Sequence, residues 1–141
     1  MARNPVTDPI TVLIVDDDAE MRAVIKNFLE QDGYRVIERG RARDALLALD
    51  DALQPDVVIV DRVMPDMSGT ELLSLLRRRF DIPVILITAF GGPDVEVDAL
   101  RRGAASYLEK PFRMSAVAQA VARLTRGPHV GGQAPPAGPP Q

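Results

Sequence analysis

The chain has 141 residues, 46% of them hydrophobic and 26% charged, which is enough for one domain with a sizeable core. It has no cysteine, so a disulfide framework and thiolate metal sites are excluded, and its net charge of −3 gives no reason to expect direct contact with nucleic acid. No apolar signal region opens the chain and no apolar run approaches membrane-spanning length, so a cytoplasmic protein without membrane contact is expected.

Residues 1–9 are polar, contain two prolines and read as a loose lead-in. Thr11 to Val15 is a continuous apolar run of the kind a strand buried on both faces requires, and it stops at Asp16-Asp17-Asp18. Met21, Val24, Ile25, Phe28 and Leu29 then recur at helical spacing, with Asp17 and Glu20 resembling a capping pair at the start and Gly33 closing the helix. Tyr34 to Glu38 is a shorter strand, nearer an edge. Ala42, Ala45, Leu46 and Leu49 mark a second helix.

Val57 to Val60 is the third buried strand, and Asp61 ends it. A third helix carries Leu72, Leu73, Leu75 and Leu76 and finishes in Arg77-Arg78-Arg79, where positive charge suits the negative end of a helix dipole. Pro83 to Thr88 is the fourth strand. Gly91-Gly92 breaks the chain, and Pro93 suits the first turn of a fourth helix that runs to about Arg102. Ala105 to Glu109 is the fifth strand, and Val117, Ala120, Val121 and Leu124 mark the last helix. From Gly127 to Gln141, prolines and glycines supply 9 of 15 residues, so this stretch reads as a tail or linker. The domain itself is therefore expected over residues 10–126.

Five βα units in strict alternation imply an α/β fold, with a doubly wound parallel sheet and right-handed crossovers. The natural order for five strands is 2-1-3-4-5, the flavodoxin-like arrangement. That order brings the ends of strands one, three, four and five to a single edge. The residues there are Asp16-Asp17-Asp18, Asp61, Thr88 and Lys110. Asp61 alone could simply start a turn, and Thr88 alone could be an ordinary strand residue. Together they say more. One helix needs one N-cap acid, which leaves further carboxylates crowded in one pocket, and such crowding is costly unless a cation sits among them. An all-oxygen donor set suits Mg²⁺ or Mn²⁺. A lysine beside that cation makes sense if an anion also binds. The chain has 15 arginines and only two lysines, Lys26 and Lys110, so a lysine at this position points to a chemical role. A carboxylate nucleophile, a divalent cation and a phosphoryl group satisfy all of these constraints.

The sequence resembles the receiver domain of two-component response regulators. The matching pieces are Val15-Asp16-Asp17, Asp61-x-x-Met64-Pro65-Asp66-x-x-Gly69, Thr88-Ala89 and Gly103-Ala104-x-x-Tyr107-Leu108-x-Lys110-Pro111-Phe112, in family order and spacing. The resemblance implies that Asp61 accepts a phosphoryl group from a sensor histidine kinase or phosphotransfer protein. It implies that Asp16, Asp17, Asp61 and the backbone carbonyl of Val63 hold the metal. Thr88, Lys110 and the Ala89 amide would contact the phosphoryl oxygens, and Tyr107 would report the state of Thr88. The Lys110–Pro111 bond is often cis in such domains. The protein would not be an enzyme in the ordinary sense, taking part only in its own phosphorylation and slow self-dephosphorylation.

The signalling face implied lies on the fourth helix, fifth strand and fifth helix, read by a downstream protein or by an output domain outside this chain. Receivers of the winged-helix transcription-factor subfamily usually carry acids just before the switch aromatic. Ala105-Ser106 stand there, so that subfamily's dimer is not assumed, although a homodimer through the same face stays open. Two alternatives are a haloacid-dehalogenase-type phosphatase and a degenerate receiver acting as a binding module. The first needs a further acidic pair after the lysine, and no acid follows Glu109. The full set of site residues speaks against the second. His129 in the tail is not expected to take part in phosphotransfer, and Asp66 is expected to shape the turn rather than bind metal.

Overall fold

The computed structural model describes residues 8–125. The lead-in before residue 8, the stretch 127–141 and His129 lie outside the described residues. The elements follow in strict alternation: β1 (Thr11–Val15), α1 (Ala19–Gln31), β2 (Arg35–Arg39), α2 (Ala42–Asp50), β3 (Val57–Asp61), α3 (Gly69–Leu75), β4 (Val84–Thr88), α4 (Pro93–Arg101), β5 (Ser106–Glu109) and α5 (Met114–Thr125). The last turn of the third helix, Leu76–Phe80, widens into a π-helical turn that ends at Asp81 in a left-handed conformation, φ 52°. The five strands are all parallel in the order β2-β1-β3-β4-β5, as the alternation implies.

Every residue of β1, β3 and β4 is buried, which explains their unbroken apolar runs. Successive side chains alternate between the two faces. Leu13, Val15, Val58, Val60, Val84 and Leu86 pack against α2, α3 and α4 through Ala45, Leu72, Leu73 and Ala99. Val12, Ile14, Ile59, Ile85 and Ile87 pack against α1 and α5 through Ile25, Leu29, Val117 and Val121. Burying each Leu, Ile or Val side chain contributes about 1.5–3 kcal/mol, so these two clusters hold the strand ends in a fixed relation to one another.

The start of α1 differs from expectation, and the start of α2 is capped from a distance. Asp18, not Asp17, caps α1: its Oδ1 accepts from the amides of Glu20 (3.0 Å) and Met21 (3.2 Å). A cap must stand immediately before the first helical residue, and that residue is Ala19. Asp17 is thereby left for the site. At α2 the N-cap residue, Arg41, has no capping side chain. Its function is supplied from 24 residues away, where the Asp66 carboxylate accepts from the amides of Ala42 (3.2 Å) and Arg43 (3.0 Å). Asp66 thus stitches the β3–α3 loop to the start of α2. A capping box between Ser68 and Glu71 begins α3. Arg77 and Arg79 at the end of the third helix pair with Asp81 (3.4 Å) and Asp50 (2.6 Å), as a solvated helix end should.

Candidate functional site

The carboxyl ends of β1, β3, β4 and β5 form one pocket edge. Asp61 is the last residue of β3 and pairs in register with Ile87, so Thr88 stands one step beyond it on β4. Asp16 follows the last residue of β1, Val15, which is level with Val60. Lys110 follows β5, and its amide donates to the Thr88 carbonyl at 2.8 Å. The bond from Lys110 to Pro111 is cis.

Asp16, Asp17 and Asp61 each present a carboxylate oxygen within 4.8 Å of the others. Lys110 Nζ lies 3.1 Å from Asp61 Oδ2 and 3.7 Å from Asp16 Oδ2. The second Asp61 oxygen, Oδ1, accepts from the Val63 amide at 3.1 Å. Asp16 is fully buried; its Oδ1 accepts from the Asp18 amide at 2.9 Å. Its Oδ2 is buried with no hydrogen-bond partner. Burial pushes the Asp16 carboxyl up to about 6, against the lowering effect of the Asp18 amide, and the Asp61 charge adds to the rise. Burial pulls the Lys110 ammonium down, but the hydrogen bond to Asp61 and the charges of Asp16 and Asp61 outweigh it, and the net displacement is upward. A buried carboxylate oxygen without a hydrogen bond, beside two more acids, is an arrangement that a hard divalent cation would relieve. The residues present fit such an ion.

The loop after β3 is held tightly. The Gly69 amide donates to the Arg62 carbonyl at 2.7 Å, and a Cβ at position 69 would collide with the main chain of Asp61 and Arg62. Only glycine lets α3 start so close to the end of β3. Across the pocket, Thr88 is fully buried and its hydroxyl accepts from the Phe90 amide at 3.0 Å. The side chains of Val63 and Phe90, whose amides donate to Asp61 and Thr88, are exposed.

Tyr107 stands apart from this pocket. Its hydroxyl donates to Glu109 Oε2 at 3.0 Å, and the same oxygen accepts from the Gly92 amide at 2.8 Å. A Cβ at position 91 would strike that carboxylate and the phenol. Glu109 therefore ties β5 to the loop before α4. Sequence reasoning singled out Tyr107 and the two glycines but gave no role to Glu109, whose partners are Gly92, 17 residues away, and Tyr107, two residues earlier on the same strand.

The response regulator receiver domain model matches residues 12–122. The chain belongs to the response regulator receiver domain family. This receiver domain is 36% identical over 118 residues to the transcriptional regulatory protein CpxR of Escherichia coli K12, covering 84% of this chain and 50% of that protein. It is 39% identical over 105 residues to the phosphate regulon transcriptional regulatory protein PhoB of Pseudomonas aeruginosa, covering 72% of this chain and 45% of that one. The chain thus spans about half the length of these curated relatives. Among solved structures, the Francisella response regulator 1452 receiver domain superposes with a TM-score of 0.78 at 30% identity, covering 84% of this chain and 98% of that one. A CheY-like receiver from Methanospirillum hungatei gives 0.77 at 28% identity, with 84% and 95% coverage. The beryllofluoride-activated NtrC4 receiver domain dimer gives 0.77 at 29% identity, with 82% and 96% coverage. Among the described residues, no helix is long and apolar enough to cross a membrane.

Proposed function

We propose that this receiver domain, residues 10–126, accepts a phosphoryl group on Asp61 from the phosphohistidine of a sensor histidine kinase or phosphotransfer protein, in a step that requires Mg²⁺ or Mn²⁺. The observation that carries this reading is the buried Asp16 Oδ2, which has no hydrogen bond, among Asp17, Asp61 and Lys110. The carboxylates of Asp16, Asp17 and Asp61 and the carbonyl of Val63 would hold the metal, which when bound neutralises charge on the phosphoryl oxygens. Asp61 is pre-aimed by the Val63 amide on one oxygen and Lys110 on the other. Its carboxylate attacks phosphorus, an O–P bond forms, the N–P bond of the donor breaks, and the electron pair stays on the imidazole, which takes a proton from water. Lys110 then exchanges the Asp61 carboxylate for a phosphoryl oxygen, and the Ala89 amide donates to another.

Thr88 completes the phosphoryl contacts and couples the site to the surface. A charge-assisted hydrogen bond from its hydroxyl is worth about 1.5–3 kcal/mol, enough to shift a two-state equilibrium about ten- to a hundredfold. Drawn to the phosphoryl group, Thr88 vacates space beside β5 that the Tyr107 ring can fill. That rotation has to break the hydrogen bond from Tyr107 to Glu109, which leaves Glu109 held to the loop before α4 by the Gly92 amide alone. The signalling face is then α4, β5 and α5, including Val95, Asp98, Arg101, Tyr107 and Arg113. It is read by a downstream protein or by an output domain joined through a linker at 127–141, and it is the face through which a homodimer would form. The likeness to transcriptional regulators about twice as long supports the output-domain alternative. The phosphatase alternative loses its support with the family match, and a degenerate receiver would fail the following test.

Intact mass measured after acetyl phosphate treatment should rise by one phosphate with Mg²⁺, stay unchanged in chelator, and stay unchanged for Asp61→Asn. An undiminished adduct in that variant would overturn the assignment. Amide NMR spectra with and without beryllofluoride test the surface. Shifts should reach α4, β5 and α5, and shifts confined to the pocket would rule that face out.

A further inference from the structure

We propose that Arg22 is a positioning residue for the cation site: from the second turn of α1 it clamps the main chain of Asp16 and so fixes the buried carboxylate that the metal would meet. The inference rests on the cation reading above and extends it to a residue that touches neither metal nor phosphoryl group.

Asp16 lies just past the end of β1, where the strand ladder stops supplying partners. Its amide is still held, donating to the Arg39 carbonyl of β2 at 3.2 Å. Its carbonyl accepts instead from a side chain, the Nη1 of Arg22. The main chain of Asp16 is thus held at both its amide and its carbonyl, and the carboxylate is fixed at Oδ1 by the Asp18 amide. Only Oδ2 is left for a ligand.

Arg22 is itself braced. Its Nε donates to Glu38 Oε1 at 3.0 Å, and its side chain is 19% exposed. Glu38 sits on β2, in register with Ile14 of β1, and its other oxygen faces Lys26 at 3.5 Å. A planar fork that serves two acceptors in fixed directions is a task for arginine and not for lysine. Gly40 leaves the space this requires: a Cβ there would lie 3.1 Å from Arg22 Nη1. The chain Glu38–Arg22–Asp16 therefore joins β2, α1 and β1 at the pocket edge.

A plain ion pair and a positioning clamp predict opposite signs. If Arg22 acted only as a charge, removing it would take a positive group away from the cation and tighten binding. If it acts by holding Asp16, removing it loosens a ligand and weakens binding. Lys26 is the natural control, because it pairs with the same Glu38 and carries the same charge but does not reach Asp16.

The experiment is a titration of the metal-free full chain with Mg²⁺ alone, followed by amide NMR at Asp17 and Asp18. For Arg22→Met the dissociation constant should rise about tenfold, the scale on which groups that orient metal ligands act. Lys26→Met should stay within about twofold of the parent, and Arg22→Lys, which keeps the charge but not the fork, should be weakened at least about threefold. A second readout needs no metal: the Asp18 amide should exchange with solvent faster in Arg22→Met, while amides in the middle of α1 keep their protection. Parent-like or tighter Mg²⁺ binding by Arg22→Met, or parent-like binding by Arg22→Lys, would overturn the proposal. Saturable binding by the parent with unaltered variants rejects Arg22 alone, whereas no saturable binding by the parent rejects the cation reading and this inference with it.

Discussion

Replacing Asp16 by asparagine should stabilise the metal-free protein while destroying its response to Mg²⁺. The Asp16 carboxyl is fully buried and one of its oxygens has no hydrogen-bond partner. Burial pushes its pKa from an ordinary 3.8 up to about 6, even with Lys110 close by. At 1.36 kcal/mol per unit, that displacement corresponds to about 3 kcal/mol by which the ionised group disfavours the fold. Because the folded value lies above the unfolded one, the native state binds this proton more tightly than the unfolded chain. The group's contribution is therefore most favourable below about pH 4, is lost as pH rises to about 6, and is flat beyond that. Asparagine keeps the oxygen that accepts from the Asp18 amide and carries no charge. Urea unfolding in chelator at pH 8 should show Asp16→Asn more stable than the parent by up to about 3 kcal/mol, and the gap should close towards pH 4. Mg²⁺ at about a thousand times its dissociation constant should reverse the order, since it adds about 4.1 kcal/mol to the parent and little to the variant. A less stable variant at pH 8 without metal, or a gap that does not change with pH, would refute this reasoning.

Other outcomes follow from single contacts. Asp66→Ala removes the cap of α2 and should cost about 1 kcal/mol in urea unfolding without abolishing phosphorylation. The backbone hydrogen bond from Arg43, then that from Ala42, holds the Asp66 carboxyl below its ordinary 3.8, so this cap stabilises above that pH and is lost as pH falls through the lower folded value. The side chains of Val63 and Phe90, two residues past Asp61 and Thr88, are exposed and apolar, and neither can orient a water in line with phosphorus. Dephosphorylation should therefore be slow, and Val63→Asn combined with Phe90→Glu should speed the loss of phosphate measured by intact mass. Glu109→Ala frees both Tyr107 and Gly92, and a loss of about 1 kcal/mol from the resting state should raise beryllofluoride affinity about fivefold by NMR titration.

The sheet was legible because β1, β3 and β4 are buried on both faces and so carry unbroken apolar runs, while Leu13 and Val15 against Val12 and Ile14 reflect the two helix layers. The pocket residues were legible for a related reason. Strand order follows from alternation, and order alone brings Asp16, Asp61, Thr88 and Lys110 to one edge. What stayed hidden depends on contacts between elements far apart in sequence. Nothing local marks Asp66 as the cap of a helix that begins 24 residues earlier. Nothing local marks Glu38 as the brace of Arg22, or Glu109 as the tie on Gly92. Asp17 was read as a cap because an acid three residues before Glu20 fits a capping pair equally well; the start of the helix at Ala19 hands that task to Asp18.

The most direct test of the central claim is to locate the phosphoryl group. Borohydride reduction of the acetyl phosphate-treated protein converts a phosphorylated aspartate to homoserine, which tryptic mapping can place. The peptide from Asp44 to Arg62 contains Asp44, Asp50, Asp51, Asp56 and Asp61, so the map discriminates among five carboxylates. The account predicts homoserine at position 61 alone, formed with Mg²⁺ and absent in chelator. Homoserine at any other aspartate, or at position 61 regardless of metal, would contradict it.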